Sequence, residues 1–398
     1  MAEVRKRSQQ AGKLFRAVAV AGALSLGACQ TLVPRGPADA PPPRTETAPP
    51  PARPGIDVEA GIPRDTARNR VALLVPLSGS NAGVGASLAN ATQLALLDTS
   101  NEQVRITRYD TATGAAAAAN RALADGARLI LGPLLAEDVR AVAPIARRAN
   151  VPLLAFSNDT SVAGNGAYVM GYAPAQSIER VVRYAKSRGV SNFGGLVPNA
   201  LYGTRASTAF LRAVESAGGR VVALQTYDRG ALGAAVTRMA KDAPFDAVLV
   251  ADSGGAAAAA VPLLRRRSPQ TRILGTELWN TDNSIVAKPA LNGALFASVS
   301  DTLYRQYAIK YRARFGSAPY RLSSLGYDSV LLTVRIARDW PVGSPFPEAR
   351  LRSAEGFAGI DGAFRFGRDG VADRSLEVLQ VNAGGFTTIS PAPRGFGN

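Results

Sequence analysis

From residue 71 onward, the chain alternates short apolar runs with longer stretches in which apolar positions recur at helical spacing. Short apolar runs are typical of buried strands, and the longer amphipathic stretches are typical of helices packed on a sheet. The first part of this region predicts strands over 71–76, 104–109, 129–131 and 152–156, and helices over 85–97, 115–126 and 137–150. This alternation indicates βαβ units and a mainly parallel sheet.

A second series of the same kind begins near residue 174. It predicts strands over 193–197, 221–225, 247–251 and 272–274, helices over 175–188, 202–217, 232–241, 256–267, 304–315 and 323–339, and a strand-rich tail after 363. Two such series without a clear linker favour two lobes that exchange segments. We expect lobe 1 over 70–173 and 290–340, and lobe 2 over 174–289 and 341–392. Ligands of such folds bind at the carboxyl ends of the strands, so the prediction includes a cleft between the lobes.

The first 28 residues have the pattern of an export signal. Positively charged residues precede an apolar run over residues 17–26, which is too short to cross a membrane as a helix. Leu-Gly-Ala-Cys, ending at Cys29, resembles the bacterial lipobox, whose cysteine is acylated and becomes the first residue of the mature protein. The alternative is an ordinary signal peptide with an incidental cysteine. Because Gln30 rather than aspartate follows the cysteine, the resemblance implies a lipoprotein of the outer membrane that faces the periplasm.

Residues 29–69 connect the predicted acyl anchor to the folded region. They contain proline runs at 41–43 and 49–51 and few large apolar residues. This composition predicts a disordered or polyproline tether.

The amino-acid composition argues against several classes of function. The chain contains no histidine, and Cys29 is its single cysteine, so most hydrolase and metalloenzyme sites lack their usual base or ligand. The sequence therefore predicts no enzyme activity, no metal and no cofactor. A formal charge of +16 could suit nucleic acid, anionic lipid or another acidic polymer. The basic residues are spread along the chain, and the cluster at 265–267 is typical of a solvated helix end, so we do not expect nucleic acid as a partner.

Four motifs in order carry a resemblance to a known family. They are Val-Ala-Leu-Leu-Val-Pro-Leu-Ser-Gly ending at Gly79, Leu-Ile-Leu-Gly-Pro at 129–133, Val-Pro-Leu-Leu-Ala-Phe-Ser at 151–157, and Tyr202-Gly203. Over residues 70–390 the chain resembles the type I periplasmic binding proteins, the Leu/Ile/Val-binding protein family. The resemblance implies an α/β fold with two lobes, each a mainly parallel sheet flanked by helices. The lipobox and the tether look closest to the penicillin-binding-protein activators, although the helical repeat domain of that branch is replaced here by the Pro-rich segment.

The resemblance also implies a set of ligand-binding residues in the loops after the strands. They are Ser78, Gly79, Ser157, Asn158, Thr160 and Tyr202, with Asp252 or Glu277 for an ammonium group. Each has a structural alternative, such as a helix cap, an Asx turn or a surface carboxylate. Where amino-acid receptors commonly place serines after the third strand, this chain has Leu134 and Leu135, which weakens the prediction of a zwitterionic ligand.

Two functions remain open at this stage. The first is a non-catalytic envelope lipoprotein that docks on a peptidoglycan synthase, a penicillin-binding protein, and regulates it. The second is the substrate-binding protein of an amino-acid ABC uptake system, which binds an amino-acid-like ligand and delivers it to a permease.

Overall fold

A computed structural model describes residues 67–241, 244–282, 284–393 and 396. The predicted signal peptide, Cys29 and all but the end of the predicted tether lie outside these ranges. Within them, no helix is both long and apolar enough to cross a membrane.

Five parallel strands form the sheet of lobe 1, in the order β2-β1-β3-β4-β5. Their bounds are β1 (Asn69–Val75), β2 (Val104–Asp110), β3 (Leu129–Leu131), β4 (Leu153–Ala155) and β5 (Ala167–Val169). Three helices connect them: α1 (Ala82–Thr99), α2 (Ala115–Ala124) and α3 (Ala136–Arg148). Helices cover both faces, so side chains of β1 alternate between two buried clusters, Val71, Leu73 and Val75 in one and Ala72 and Leu74 in the other.

Lobe 2 is built on a seven-stranded sheet with the order β15-β14-β10-β9-β8-β6-β7. Its strands are β6 (Asn192–Pro198), β7 (Arg220–Tyr227), β8 (Ala247–Val250), β9 (Arg272–Gly275), β10 (Leu295–Ser298), β14 (Glu377–Asn382) and β15 (Gly385–Ser390). The helices α4 (Pro174–Ser187), α5 (Leu201–Ser216), α6 (Leu232–Met239) and α7 (Gly254–Arg267) flank it. Strands β6 to β10 are parallel, whereas β14 runs antiparallel to both β10 and β15.

After β10 the chain returns to lobe 1. The helices α8 (Thr302–Phe315) and α9 (Ser323–Ala337) are followed by a small antiparallel sheet of β11 (Phe357–Gly359), β12 (Gly362–Phe366) and β13 (Ala372–Arg374). Tyr307, Trp340, Phe346 and Phe364 from this segment lie in the same buried cluster as β1. A close fit between α9 and α1 is made possible by Gly326, where a Cβ would lie 2.8 Å from the backbone oxygen of Leu88.

This arrangement corrects the predicted lobe boundaries in two places. Residues 341–375, predicted in lobe 2, pack into the core of lobe 1. Strand β10, predicted within the second segment of lobe 1, is paired between β9 and β14 in the sheet of lobe 2. The crossovers between lobes therefore lie at 170–173, 299–301 and 375–376.

Candidate ligand-binding site

The loops that follow the strands of both sheets meet in a cleft between the lobes. This position follows from parallel strands, whose carboxyl ends lie at the same edge of a sheet. The cleft contains a cavity of about 510 Å³. Lobe 1 contributes Asn81, Val84, Leu134, Leu135, Phe156, Asn158, Tyr172, Tyr320, Arg321 and Leu322, and lobe 2 contributes Glu277, Leu278 and Thr281.

Glu277 is the acidic residue of this lining. It lies in the 3₁₀ turn Glu277–Thr281, directly after β9, and is 6% exposed. The Tyr202 hydroxyl donates to its Oε1 at 3.0 Å and lies 2.9 Å from Oγ1 of Thr276. Its Oε2 has no hydrogen-bond partner among the described residues. Burial raises the pKa of Glu277 to about 7, against the opposing effect of the Tyr202 hydrogen bond.

Arg321 is the basic residue of the lining, and its charge is already compensated. Its Nη1 donates to Oδ1 of Asp361 at 2.7 Å, and its Nη2 lies 3.2 Å from Oδ1 of Asp301. The guanidinium also stacks over the ring of Tyr304, 4.0 Å from its centre. Tyr172 donates to Oδ2 of Asp361 at 2.5 Å. Two carboxylates therefore share this one cation at the base of the cleft.

A second buried group of charges lies beside the first. Asp328, on α9, accepts hydrogen bonds from the backbone N–H groups of Ile360 at 2.7 Å and Asp361 at 3.4 Å. Burial and the nearby Asp361 raise the pKa of Asp328, which favours the protonated form of this carboxyl. Arg374 donates to the backbone oxygen of Met170 at 2.6 Å. Met170 begins the first crossover and Arg374, at the end of β13, directly precedes the third, so this hydrogen bond joins two of the connections between the lobes.

The lobes are also linked at the rim of the cleft by Asp159. This carboxylate follows β4 in lobe 1 and is 3% exposed. It pairs with Arg205 of α5 in lobe 2 at 2.7 Å and with Arg140 of α3 in its own lobe at 2.6 Å. Burial opposes its ionisation, but hydrogen bonds from Ser161 and the pairing with Arg205 lower the pKa of Asp159 to about 2. Asp159 is therefore charged at neutral pH and holds the two lobes together.

A comparison with known protein families identifies the fold that carries this site. A family model described as periplasmic binding protein matches residues 69–385. The chain belongs to this family. Its match covers both lobes and the three crossovers, which confirms the fold class that the sequence predicted.

Two solved structures resemble this periplasmic binding protein closely in fold. A leucine-binding protein of Thermotoga maritima is 20% identical with a TM-score of 0.62, over 82% of this chain and 99% of that one. A protein described as a candidate branched-chain amino acid ABC transporter of Rhodospirillum rubrum is 21% identical with a TM-score of 0.72, over 81% of this chain and 100% of that one. An uncharacterized protein of Rickettsia prowazekii is 25% identical over 134 residues, which are 33% of this chain and 36% of the length of that relative.

The structure brings two of the predicted ligand residues of this binding protein to the cavity. These are Asn158 and Glu277. Tyr202 lies behind Glu277 and positions its carboxylate instead of lining the cavity. Asp252 accepts a hydrogen bond from the Tyr227 hydroxyl at 2.5 Å and is not part of the lining. Of the two acids predicted to bind an ammonium group, Glu277 is therefore the one at the cavity.

The remaining predicted residues make local contacts. Ser78 donates to Oδ2 of Asp110 at 2.7 Å, and Gly79 turns the chain with a φ of +72°. Ser157 is buried and accepts a hydrogen bond from a backbone N–H two residues later. Thr160 lines a second, neighbouring groove of about 420 Å³ together with residues of α4 and α5. Their roles in ligand binding stay predictions.

Sequence reasoning missed Arg321 and Tyr172. Arg321 lies in an irregular segment before α9, and Tyr172 lies in the first crossover, so neither follows a strand in a motif of the family. Their shared partner, Asp361, is remote from both along the chain. No local pattern predicts such a contact. Among the residues that the structure describes, no group of three or more acidic or cysteine side chains is placed to hold a metal.

Proposed function

We propose that this chain is a solute-binding protein that encloses a small molecule between its lobes and delivers it to a membrane permease. The observation that carries the proposal is the buried, unpartnered Oε2 of Glu277, a residue that lines the interlobe cavity. A buried carboxylate oxygen without a hydrogen bond is costly, and such a group is expected where a ligand supplies the missing donor. The cavity volume of about 510 Å³ suits a small-molecule ligand.

In this proposal the lobes act by closing around the solute. The crossovers serve as the hinge, and the Asp159 to Arg205 pair stabilises the closed form. In this proposal the protein is not an enzyme and needs no cofactor or metal. We further propose that acylated Cys29 anchors it in the outer membrane, with the binding domain in the periplasm and no nucleic-acid partner.

Calorimetric titration of the purified chain tests the proposal. The panel contains amino acids, amines, short peptides and cell-wall fragments. We expect saturable binding of one class, weakened about tenfold or more by Glu277→Gln because a charged hydrogen bond is lost. Glu355→Gln, at a carboxylate whose side chain is 85% exposed, is the matched control and should bind as the wild type does. Absence of binding across the whole panel would refute a solute-binding function.

A second function is favoured by one specific observation. Leu134 and Leu135 replace the hydroxyl groups that amino-acid receptors of this family present, and this agrees with a regulator whose cleft has no solute. Such a protein would dock on a peptidoglycan synthase through its surface. Stimulation of a purified synthase by the chain, with the same rate for wild type and Glu277→Gln, would support the regulator. A synthase that neither binds the chain nor changes its rate would exclude it.

A further inference from the structure

We infer that Asn280 is a positioning residue, which holds the lobe 2 wall of the cavity against the hinge and so sets solute affinity without touching the solute. The role rests on the proposed solute-binding function. Asn280 follows Glu277 within the 3₁₀ turn Glu277–Thr281, and it is 6% exposed. It is not part of the cavity lining. Its effect on a solute must therefore act through the turn.

The amide of Asn280 joins lobe 2 to a crossover and to lobe 1. In the orientation that satisfies both ends of the amide, its nitrogen donates to Oδ2 of Asp301 at 3.1 Å. Its oxygen accepts from Nε of Arg321 at 3.3 Å and from Oγ of Ser298 at 3.0 Å. Asp301 belongs to the crossover over 299–301, and Arg321 directly precedes α9 of lobe 1. One buried side chain of lobe 2 therefore makes hydrogen bonds to the hinge and beyond it.

Arg321 extends this contact to a second crossover. Its Nη1 donates to the hydroxyl of Tyr172 at 3.2 Å, and Tyr172 lies in the crossover over 170–173. The Arg321 side chain is 7% exposed and also lines the cavity. A continuous series of contacts thus runs from the turn that carries Glu277 to two of the three crossovers. When the crossovers bend, the turn is expected to move with them.

On its other side, the turn is fastened to the core of lobe 2 by Trp279. Its Nε1 donates to the backbone oxygen of Asp252 at 3.0 Å, and its ring packs on Phe296, with 5.9 Å between the ring centres. Glu277 therefore lies on a turn with two attachments. Loss of the Asn280 contacts would release only the attachment to the hinge.

Exchanging the two partners tests the contact. Asn280→Asp places a second carboxylate against Asp301. The double variant Asn280→Asp and Asp301→Asn restores one amide, one carboxylate and the wild-type charge. Asn292→Asp, at an exposed asparagine of lobe 2, is the matched control. Asn280→Ala removes the amide without adding a charge, so it gives the same comparison if Asn280→Asp does not fold.

Hydrogen exchange of the purified chain without solute measures the effect at three backbone amides. The N–H of Trp279 reports the turn, and that of Arg305, which donates to the backbone oxygen of Asp301 at 3.0 Å, reports the crossover. The N–H of Ser268, at the end of α7, reports local opening elsewhere in lobe 2. In Asn280→Asp or Asn280→Ala, the first two should exchange at least about tenfold faster and the third at the wild-type rate.

In the double variant, exchange at the turn and at the crossover should return to within about threefold of the wild-type rates, because an amide again faces a carboxylate. Asn292→Asp should leave all three rates unchanged. Equal exchange in the wild type and in both Asn280 variants would overturn the positioning role. A double variant that exchanges as fast as Asn280→Asp would overturn it as well.

Calorimetric titration separates this role from the proposed function. Amino acids, amines, short peptides and cell-wall fragments are titrated into the wild type, Asn280→Asp and the double variant. A compound that the wild type binds should bind Asn280→Asp at least about tenfold more weakly and regain its affinity in the double variant. Unchanged affinity in Asn280→Asp would refute the role while a solute-binding function stands. If no compound binds the wild type, the proposed function fails, and the exchange rates still decide whether Asn280 joins the turn to the hinge.

Discussion

Replacing Glu277 with glutamine keeps the shape of the side chain and removes its charge. The pKa of Glu277 is about 7 in the folded protein, against an ordinary value of 4.5. Between these two pH values the folded chain holds a proton that the unfolded chain has released. The free energy of unfolding of the wild type therefore falls as the pH rises from about 4.5 to about 7, and it levels off above that.

The size of this effect follows from the pKa difference. Each pKa unit corresponds to about 1.4 kcal/mol, so the titration of Glu277 lowers the free energy of unfolding by about 3 kcal/mol in all. We expect Glu277→Gln and the wild type to differ little near pH 4.5, apart from a constant offset. By pH 8 the variant should gain about 3 kcal/mol relative to the wild type.

Urea unfolding of both proteins at pH 5, 6, 7 and 8, without ligand, measures the difference. Other buried acids such as Asp328 titrate in the same window, but their effects cancel when the two curves are subtracted. Glu355→Gln serves as the control, and its difference from the wild type should not change with pH. If the curves of wild type and Glu277→Gln run parallel over the whole range, the pKa of Glu277 is not raised and the reasoning fails.

Four further variants have defined outcomes. Asp159→Asn should lower the free energy of unfolding at pH 7 by about 2 kcal/mol through its lost ion pairs. In acid unfolding series this loss should shrink as the pH falls from 4 towards 2, where the wild-type carboxylate is also protonated; a constant loss would contradict the low pKa. Gly203→Ala places a Cβ 1.8 Å from a backbone oxygen and should cost at least about 2 kcal/mol in urea unfolding. Gly233→Ala, with its nearest atom at 3.8 Å, should instead gain about 0.5 to 1 kcal/mol, and equal effects would refute the argument. Tyr202→Phe removes the donor to Glu277, so the pKa of Glu277 should rise further and its pH-dependent loss of stability should move to higher pH in urea unfolding; an unchanged profile would show that this bond has no effect.

The regular elements were largely predictable because their patterns are local. Predicted helices and observed ones agree within a few residues, and the same holds for the longer strands. The strands β5 and β10 were missed because each follows the preceding strand without an intervening α-helix, outside the regular strand and helix alternation on which the prediction relied. The lobe boundaries were wrong at 290 and 341, since pairing of β10 with β14 depends on contacts between distant parts of the chain.

The candidate site was likewise predicted only in part. Glu277 and Asn158 were predicted through the family resemblance, which places ligand-binding residues in the loops after strands, and a parallel sheet brings such loops to one edge. Arg321 was not predicted as a site residue, because its position depends on Asp301 and Asp361, which only the folded chain brings together. The leucines at 134 and 135 were recognised as a departure from the family, and the structure places both in the cavity wall.

The three crossovers between the lobes have a consequence for how the protein folds while it is being synthesised. Strand β10 can pair with β14 only after the second segment of lobe 1 has been synthesised and has crossed back. Until then, one edge of the lobe 2 sheet presents unpaired N–H and C=O groups, which are prone to intermolecular pairing. A chain that is synthesised from its N-terminus onward therefore passes through a stage at which this sheet edge is open to aggregation. A chain cut short after residue 376 would remain at that stage.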